Sequence, residues 1–253
     1  MNGIALGIDV GGSGIKGAPV DLATGSLAAE RLRVETPQPS TPEAVAEVVA
    51  QIVDHFAAAL GDGAIGVTVP AVVTGGVVRT AANIDQSWIG TDADALFTGR
   101  LGRAVHLVND ADAAGVAEAR FGAARSTKGL VVVTTLGTGI GTALLLDGRL
   151  VPNSELGHLE IDGYDAETRA ASSARENEGL SWEDWAARLQ RYYGAIEDLL
   201  WPALIVVGGG ISKKADKFLP LLHLRAPIVA AQLRNEAGII GAAVLADEER
   251  VSD

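Results

Sequence analysis

Short β-branched apolar runs alternate along the 253-residue chain with longer stripes in which apolar residues recur every three or four positions. The first pattern belongs to strands and the second to helices packed on one side. Ile4–Val10 is predicted as a strand that runs through Asp9 into a Gly11-Gly12 turn. Residues 17–34 read as a hairpin turning at 21–26. Thr41-Pro42-Glu43 opens a helix, with threonine as N-cap, proline at the first helical position and an early acid. Its stripe continues through Val45, Val48, Val49, Ile52, Val53 and Phe56. Residues 65–73 and 105–109 are predicted strands, and 110–121 an alanine-rich helix. Residues 130–136 and 142–146 form a second hairpin, 180–199 a helix, 204–207 a strand and 237–249 a closing helix. The polar stretch 161–179 has few large apolar residues and reads as a surface loop.

Two stretches share one plan. IALGIDVGGSGIKGAPVDLATGSL and LVVVTTLGTGIGTALLLDGRL each run from an apolar strand through a glycine turn to a second strand and a further turn. This points to two related α/β halves, although any two glycine-linked hairpins share that outline. Composition narrows the class. A hydrophobic content of 48% excludes disorder, and no apolar run nears the ~20 residues that span a bilayer, so no membrane partner is expected. The N-terminus MNGIALGIDVGG carries neither a basic region nor a cleavage site, so a cytoplasmic location is expected. The absence of cysteine removes disulfides, thiolate metal sites and a cysteine nucleophile. With 20 Lys plus Arg against 32 Asp plus Glu, the net charge of −12 argues against a general nucleic-acid binder. An enzyme or a small-ligand binder remains.

Three strand-terminal glycine turns are candidate anion sites, because glycine lets backbone N–H groups approach a phosphate. The first holds Asp9, Gly11, Gly12, Ser13 and Lys16, with lysine as a point charge and Asp9 as a hard oxygen suited to Mg2+ or its water. It is neither a Walker loop nor a Rossmann fingerprint, and a plain hairpin turn explains it equally. The second holds Gly137, Thr138 and Gly139; the third holds Gly208, Gly209 and Gly210 followed by Lys213 and Lys214. Together they suit a phosphate-rich cosubstrate.

Asn109, Asp110 and Asp112 follow an apolar strand and open a helix, where ligands of open α/β sheets bind. A carboxylate there can act as general base on an alcohol, and helix capping accounts for the same residues. Glu155 and His158 form a second polar concentration, able to share one polyhydroxyl ligand. Asn83 follows another strand, with an amide suited to sugar hydroxyls.

DVGGSGIKG, NDADAAGVAEA, TLGTGIGTALLLDG, ELGHLEIDG and VVGGGIS fall in the order seen in the ROK family of bacterial sugar kinases, which the chain resembles from Gly7 to Leu245. Within that family it is similar to the actinobacterial branch that uses polyphosphate. The resemblance implies an actin/hexokinase-like (ribonuclease H-like) α/β fold of two domains with a ligand cleft between them. The expected domains are 1–108 plus 236–253 and 109–235. It implies phosphoryl transfer to the 6-hydroxyl of glucose in a homodimer. Asp110 would be the base, while Asn83, Asn109, Glu155 and His158 would hold sugar hydroxyls. The glycine turns would hold the donor, with Mg2+ near Asp9 and Gly208 to Gly210 where ATP users bind adenosine. Many members carry a CxCGxxGC zinc loop after the Glu-x-Gly-His motif. This chain reads DGYDAETR there, so no zinc is expected and His158 is left to serve the sugar alone. By the same resemblance either Glu167 or its rival Glu160 would stand in for the family's further sugar-binding glutamate.

Charge distribution separates the donors. Residues 119–146 carry three cations and no acid, and 199–235 carry five cations against Asp216. Residues 155–184 carry nine acids against Arg169 and Arg175. A chain of phosphates needs a positive track; Lys213, Lys214 and Lys217 beside the third turn favour polyphosphate over a purine. The expected activity is polyphosphate-dependent glucose phosphorylation, also with ATP. The alternatives are a strictly ATP-dependent kinase and a non-catalytic sugar-binding regulator of the same fold.

Overall fold

The strand β1 (Ile4–Val10) sends Leu6, Ile8 and Val10 into an apolar cluster with Val45, Val49, Ile52 and Phe56 of α1 (Pro42–Leu60). Its alternate face has no room for side chains at Gly7: a Cβ there would lie 1.8 Å from the Ile239 carbonyl oxygen of α7 (Ala237–Ser252). Gly66, on the neighbouring strand β5 (Ile65–Val69), meets the Ala242 carbonyl in the same way, at 2.0 Å. Glycine on the strands therefore lets the α7 backbone lie directly against the sheet.

These packed elements belong to a computed structural model that describes residues 3–81 and 84–252. The chain divides into two compact units, Met1–Ala113 with Glu236–Asp253, and Ala114–Asn235. In the first unit, β1 pairs antiparallel with β2 (Ile15–Asp21) and parallel with β5. β2 also pairs with β3 (Ser26–Leu27) and β4 (Leu32–Val34). The Thr41 hydroxyl accepts from the Ala44 N–H at 3.3 Å, so α1 starts at the expected cap. After β5 the chain makes a small hairpin, β6 (Val73–Thr74) and β7 (Val77–Val78), where the apolar pattern predicts one strand through residue 73. The helix α2 (Ala93–Leu101), capped by Asp92, has no counterpart in that pattern, because only its Ala93 and Phe97 are buried. β8 (His106–Asn109) then pairs with β5 and runs straight into α3 (Asp110–Phe121).

The second unit is built on β9 (Leu130–Leu136), β10 (Ile140–Leu146) and β11 (Arg149–Val151). Residues 161–179, expected as a loop, are largely structured. They contain a hairpin, β12 (Glu160–Ile161) and β13 (Tyr164–Asp165), then α4 (Glu167–Ala170) and α5 (Ser172–Glu178). Alanines hide this from a hydrophobicity reading: Ala166, Ala170, Ala171 and Ala174 are all buried although none is large. α6 (Trp182–Leu200) covers one face of the sheet with Trp185, Leu189, Tyr193 and Ile196. β14 (Leu204–Gly208) and β15 (Ile228–Ala230) complete the five strands in the order β11-β10-β9-β14-β15.

Candidate functional site

In the first unit the β1–β2 hairpin presents the Gly11–Gly14 turn at the strand ends. The Gly11 N–H donates to the Gly14 carbonyl (3.2 Å), and the Thr36 hydroxyl donates to the Gly11 carbonyl. Arg33 of β4 donates to the Ser13 carbonyl at 2.7 Å, and its guanidinium lies where a Cβ on Gly14 would stand. Arg33 thus adds a positive charge to the turn. No local motif signals it, because only the β2–β4 pairing brings it there. Asp9 accepts from the Thr68 hydroxyl through Oδ1 (3.0 Å) and faces Lys16 Nζ across 3.8 Å through Oδ2. Both side chains are partly exposed. A partly exposed carboxylate beside a lysine fits a hydrated magnesium ion, which keeps most of its waters and takes one or two carboxylates plus substrate phosphate.

At the end of β8 Asn109 is buried and committed to the backbone. Its Nδ2 donates to the Ala71 carbonyl (3.0 Å), and its Oδ1 accepts from the Ala111 and Asp112 N–H groups (2.8 and 3.0 Å). Asn109 is therefore the N-cap of α3. Asp110, next along, is partly buried at the first helical position, with Oδ1 near the Ala111 N–H. Asp112 is buried. Asn83 lies outside the described residues.

The second unit gathers Glu155, His158, Asp165 and Glu167. A 3-10 turn, Leu156–His158, carries the histidine. Its Nδ1–H donates to Asp165 Oδ2 at 2.8 Å, leaving Nε2 at 3.9 Å from Glu155. The hydrogen bond to Asp165 raises the His158 pKa above its usual range, with Glu167 and Glu155 adding to the effect. Burial raises that of Glu155, opposed by His158. His158 is thus not left to a sugar alone, as the missing zinc loop suggested. Asp165, which stands in no motif, occupies one of its two ring nitrogens and fixes the ring's orientation.

Glu167 lies close by, accepting from the Ile140 N–H at 3.0 Å and abutting Gly139 of the second glycine turn. His158, Asp165 and Glu167 bring one ligand atom each within 4.8 Å of one another. The set holds one imidazole and two carboxylates in place of thiolates, and each member already has a protein hydrogen-bond partner. It is a hydrogen-bonded cluster and lacks the soft donors of a cysteine zinc site. Glu160 is exposed and paired across the hairpin with Asp165.

The turn containing Gly137, Thr138 and Gly139 is anchored by α5. The Ser173 N–H donates to the Gly137 carbonyl (3.1 Å), and its hydroxyl donates to the Thr138 carbonyl (2.5 Å). The third turn abuts it: at Gly209, in a left-handed conformation with φ of 80°, a Cβ would lie 2.3 Å from the Leu136 carbonyl oxygen. The 3-10 segment Gly210–Lys217 follows, with Lys213 and Lys214 exposed and the Ser212 hydroxyl donating to the Gly209 carbonyl. The structure therefore joins the second and third turns to each other and Glu167 to the second.

A comparison with protein families matches residues 5–187 to the ROK family. The chain is 54% identical over 240 residues to a polyphosphate glucokinase of Mycobacterium tuberculosis, covering 94% of this chain and 89% of that protein. Among solved structures it matches an inorganic polyphosphate/ATP-glucomannokinase from Arthrobacter sp. strain KM with a TM-score of 0.93 and 58% identity, over 98% of this chain and all of that one. A ROK family glucokinase from Streptomyces griseus, solved with glucose and AMPPNP, matches in fold with a TM-score of 0.83 at 24% identity, over 97% of this chain and all of that one.

Proposed function

The chain belongs to the ROK family and has the actin/hexokinase-like fold of its sugar kinases, and from that premise we propose that it transfers the terminal phosphoryl group of inorganic polyphosphate to the 6-hydroxyl of glucose. The observation that carries this reading is the likeness, over nearly the whole chain, to proteins named for polyphosphate and glucose. Asp110 takes the hydroxyl proton as the sugar oxygen attacks the terminal phosphorus. The new O–P bond forms, the bridging P–O bond breaks, and the shortened chain leaves with that oxygen. Phosphoryl transfer needs mainly alignment and charge stabilisation, so one base and several anion-binding turns suffice.

Glu155 and His158 accept from and donate to sugar hydroxyls, with Glu167 beside them. Asn109 serves Asp110 indirectly, by fixing the start of α3. Asn83 is assigned to the sugar by family resemblance. The Gly11–Gly14 turn with Lys16, the Gly137–Gly139 turn, and the Gly208–Gly210 turn with Lys213 and Lys214 hold the phosphates. Mg2+, held by Asp9 with water, would neutralise charge on the donor. The working form is a cytoplasmic homodimer; among the described residues no helix is long and apolar enough to cross a membrane.

Glucose and magnesium supplied with polyphosphate should yield glucose 6-phosphate; no product with any donor refutes the kinase. ATP is a second donor, a reading favoured by the name of the Arthrobacter protein. Product with ATP alone refutes the polyphosphate assignment. Lys213→Ala with Lys214→Ala should raise the KM for polyphosphate more than that for glucose.

A further inference from the structure

The cations of the second unit converge on one ring. Trp182, the first residue of α6, has Arg175 Cζ 3.7 Å from its centroid, Lys217 Nζ at 5.7 Å and Lys214 Nζ at 6.0 Å. All three distances lie within the reach of cation–π attraction. The ring packs against two other aromatics: it is nearly parallel to Phe218 at 6.2 Å and edge-on to Trp185 at 6.0 Å. Both of those residues are fully buried.

Other arginines of this unit hold carboxylates. Arg188 pairs with Glu178, Arg191 with Asp162 and Arg225 with Asp198, each at 2.6–2.8 Å. Among the described residues, Arg175, Lys213, Lys214 and Lys217 have no such ion pair. Arg175 Nε is also buried without a hydrogen-bond partner. Cations that share one ring without a direct ion pair keep their capacity to bind an anion.

The cluster continues from the glycine turns. Ser173, which donates twice to the Gly137–Gly139 turn, precedes Arg175 by two residues on the same short helix. Lys214 and Lys217 lie on the segment that leaves the Gly208–Gly210 turn, and Gly209 abuts Leu136. A linear anion running outward from either turn meets these cations next. A purine is a poorer fit, since Arg175 already occupies a stacking position over the Trp182 ring.

We propose that Arg175, Lys214 and Lys217, arranged around Trp182, bind the phosphates of polyphosphate that lie beyond the one transferred. The inference rests on the polyphosphate reading above and assigns the distal part of that donor's site. It makes chain length a determinant of affinity, because a longer donor carries more phosphates for these cations to neutralise.

The experiment compares long-chain polyphosphate with tripolyphosphate at saturating glucose and magnesium, for the unaltered protein and an Arg175→Gln/Lys217→Gln double variant. The expected result is an about tenfold fall in the ratio of kcat/KM for the long donor to that for the short one. The slope of log affinity for the long donor against log salt should become shallower by ~1.4, at ~0.7 for each phosphate that a removed cation neutralised on a single-stranded polyanion. Arg175→Lys should restore most of the preference. Lys217→Glu, on an exposed side chain, repeats the test without disturbing the Arg175–Trp182 pair. An unchanged ratio and salt slope overturns the proposal, as does an equal loss for both donors without rescue by lysine. If the unaltered protein uses no polyphosphate but does use ATP, the donor reading fails first, and that is visible before any variant is made.

Discussion

In the first unit an antiparallel hairpin, β1–β2, is followed by two parallel strands in the order β2-β1-β5-β8; in the second, β9–β10 is followed in the same way by β14 and β15. The matching order supports the reading of two related halves. What lies past the strand ends differs. Arg33 and Lys16 stand at the first hairpin's turn, whereas Glu167 and Ser173 brace the second. The faces differ too: glycines admit a helix backbone onto the first sheet, and buried aromatics fill the space over the second. A shared strand order fixes where the ends fall. The residues just beyond them differ, and on the proposed function they divide the base from the groups that hold hydroxyls.

The sharpest test of that division substitutes one carboxylate in each unit. Asp110→Ala should lower kcat by about 10²–10⁴-fold, the usual contribution of a general base, while the protein still binds glucose in a direct titration. Glu155→Gln should act mainly on glucose KM, raising it about tenfold, since it removes one charged hydrogen-bond partner and no proton acceptor. Steady-state kinetics with glucose varied separates the two. If Glu155→Gln costs as much in kcat as Asp110→Ala, the roles are not divided between the units as proposed.

The contrast in sheet faces predicts the next largest effect. Gly7→Ala places a Cβ 1.8 Å from a backbone oxygen of α7, which cannot yield without moving the helix. Gly115→Ala, on α3 in the second unit, meets the Ala143 methyl at 2.6 Å and also gains helix propensity. Overpacking costs typically 1–3 kcal/mol and occasionally more. Gly7→Ala should therefore lose about 3 kcal/mol and Gly115→Ala about 1 kcal/mol, read from urea midpoints at constant m-value. Equal losses would mean that α7 is no more tightly seated than the aliphatic packing under α3.

That difference also marks how far the sequence can be read. The β1 strand, the α1 cap at Thr41 and the β9 strand are legible, since period and capping are local. So are Asp110 and Glu155 as polar residues next to strand or turn ends. The segment 161–179 conceals its helices because small alanines bury without raising hydrophobicity, and its acids draw attention to solvent. Arg33, Asp165 and Arg175 stay silent for a different reason. Each gains meaning only through a partner elsewhere: Ser13 across a strand pair, His158 across a hairpin, Trp182 across a helix junction. Arg175 even lies in the stretch that charge counting marks as acidic. Summed charge along a chain cannot see which side chains converge.

Asp165 supports the smallest predicted effect. Its carboxylate is the largest cause of the raised His158 pKa, ahead of Glu167 and Glu155. An NMR titration of the His158 ring should give a value above 6.5 in the unaltered protein, and Asp165→Asn should bring it down toward 6.5. Because the folded pKa is raised, the pair's stabilisation is fully present below about pH 6.5 and is lost as pH rises through the folded value. The stability difference between the protein and Asp165→Asn should accordingly be greatest in mildly acid solution and shrink above neutrality. Solvent screening at this half-exposed pair keeps it small. Glu167→Gln should lower the same pKa by less, since it acts through space and lacks the hydrogen bond. If Glu167→Gln lowered it more than Asp165→Asn, the ring would be governed by the glutamate that abuts Gly139, and the second unit's histidine would answer to its glycine turn instead of its hairpin.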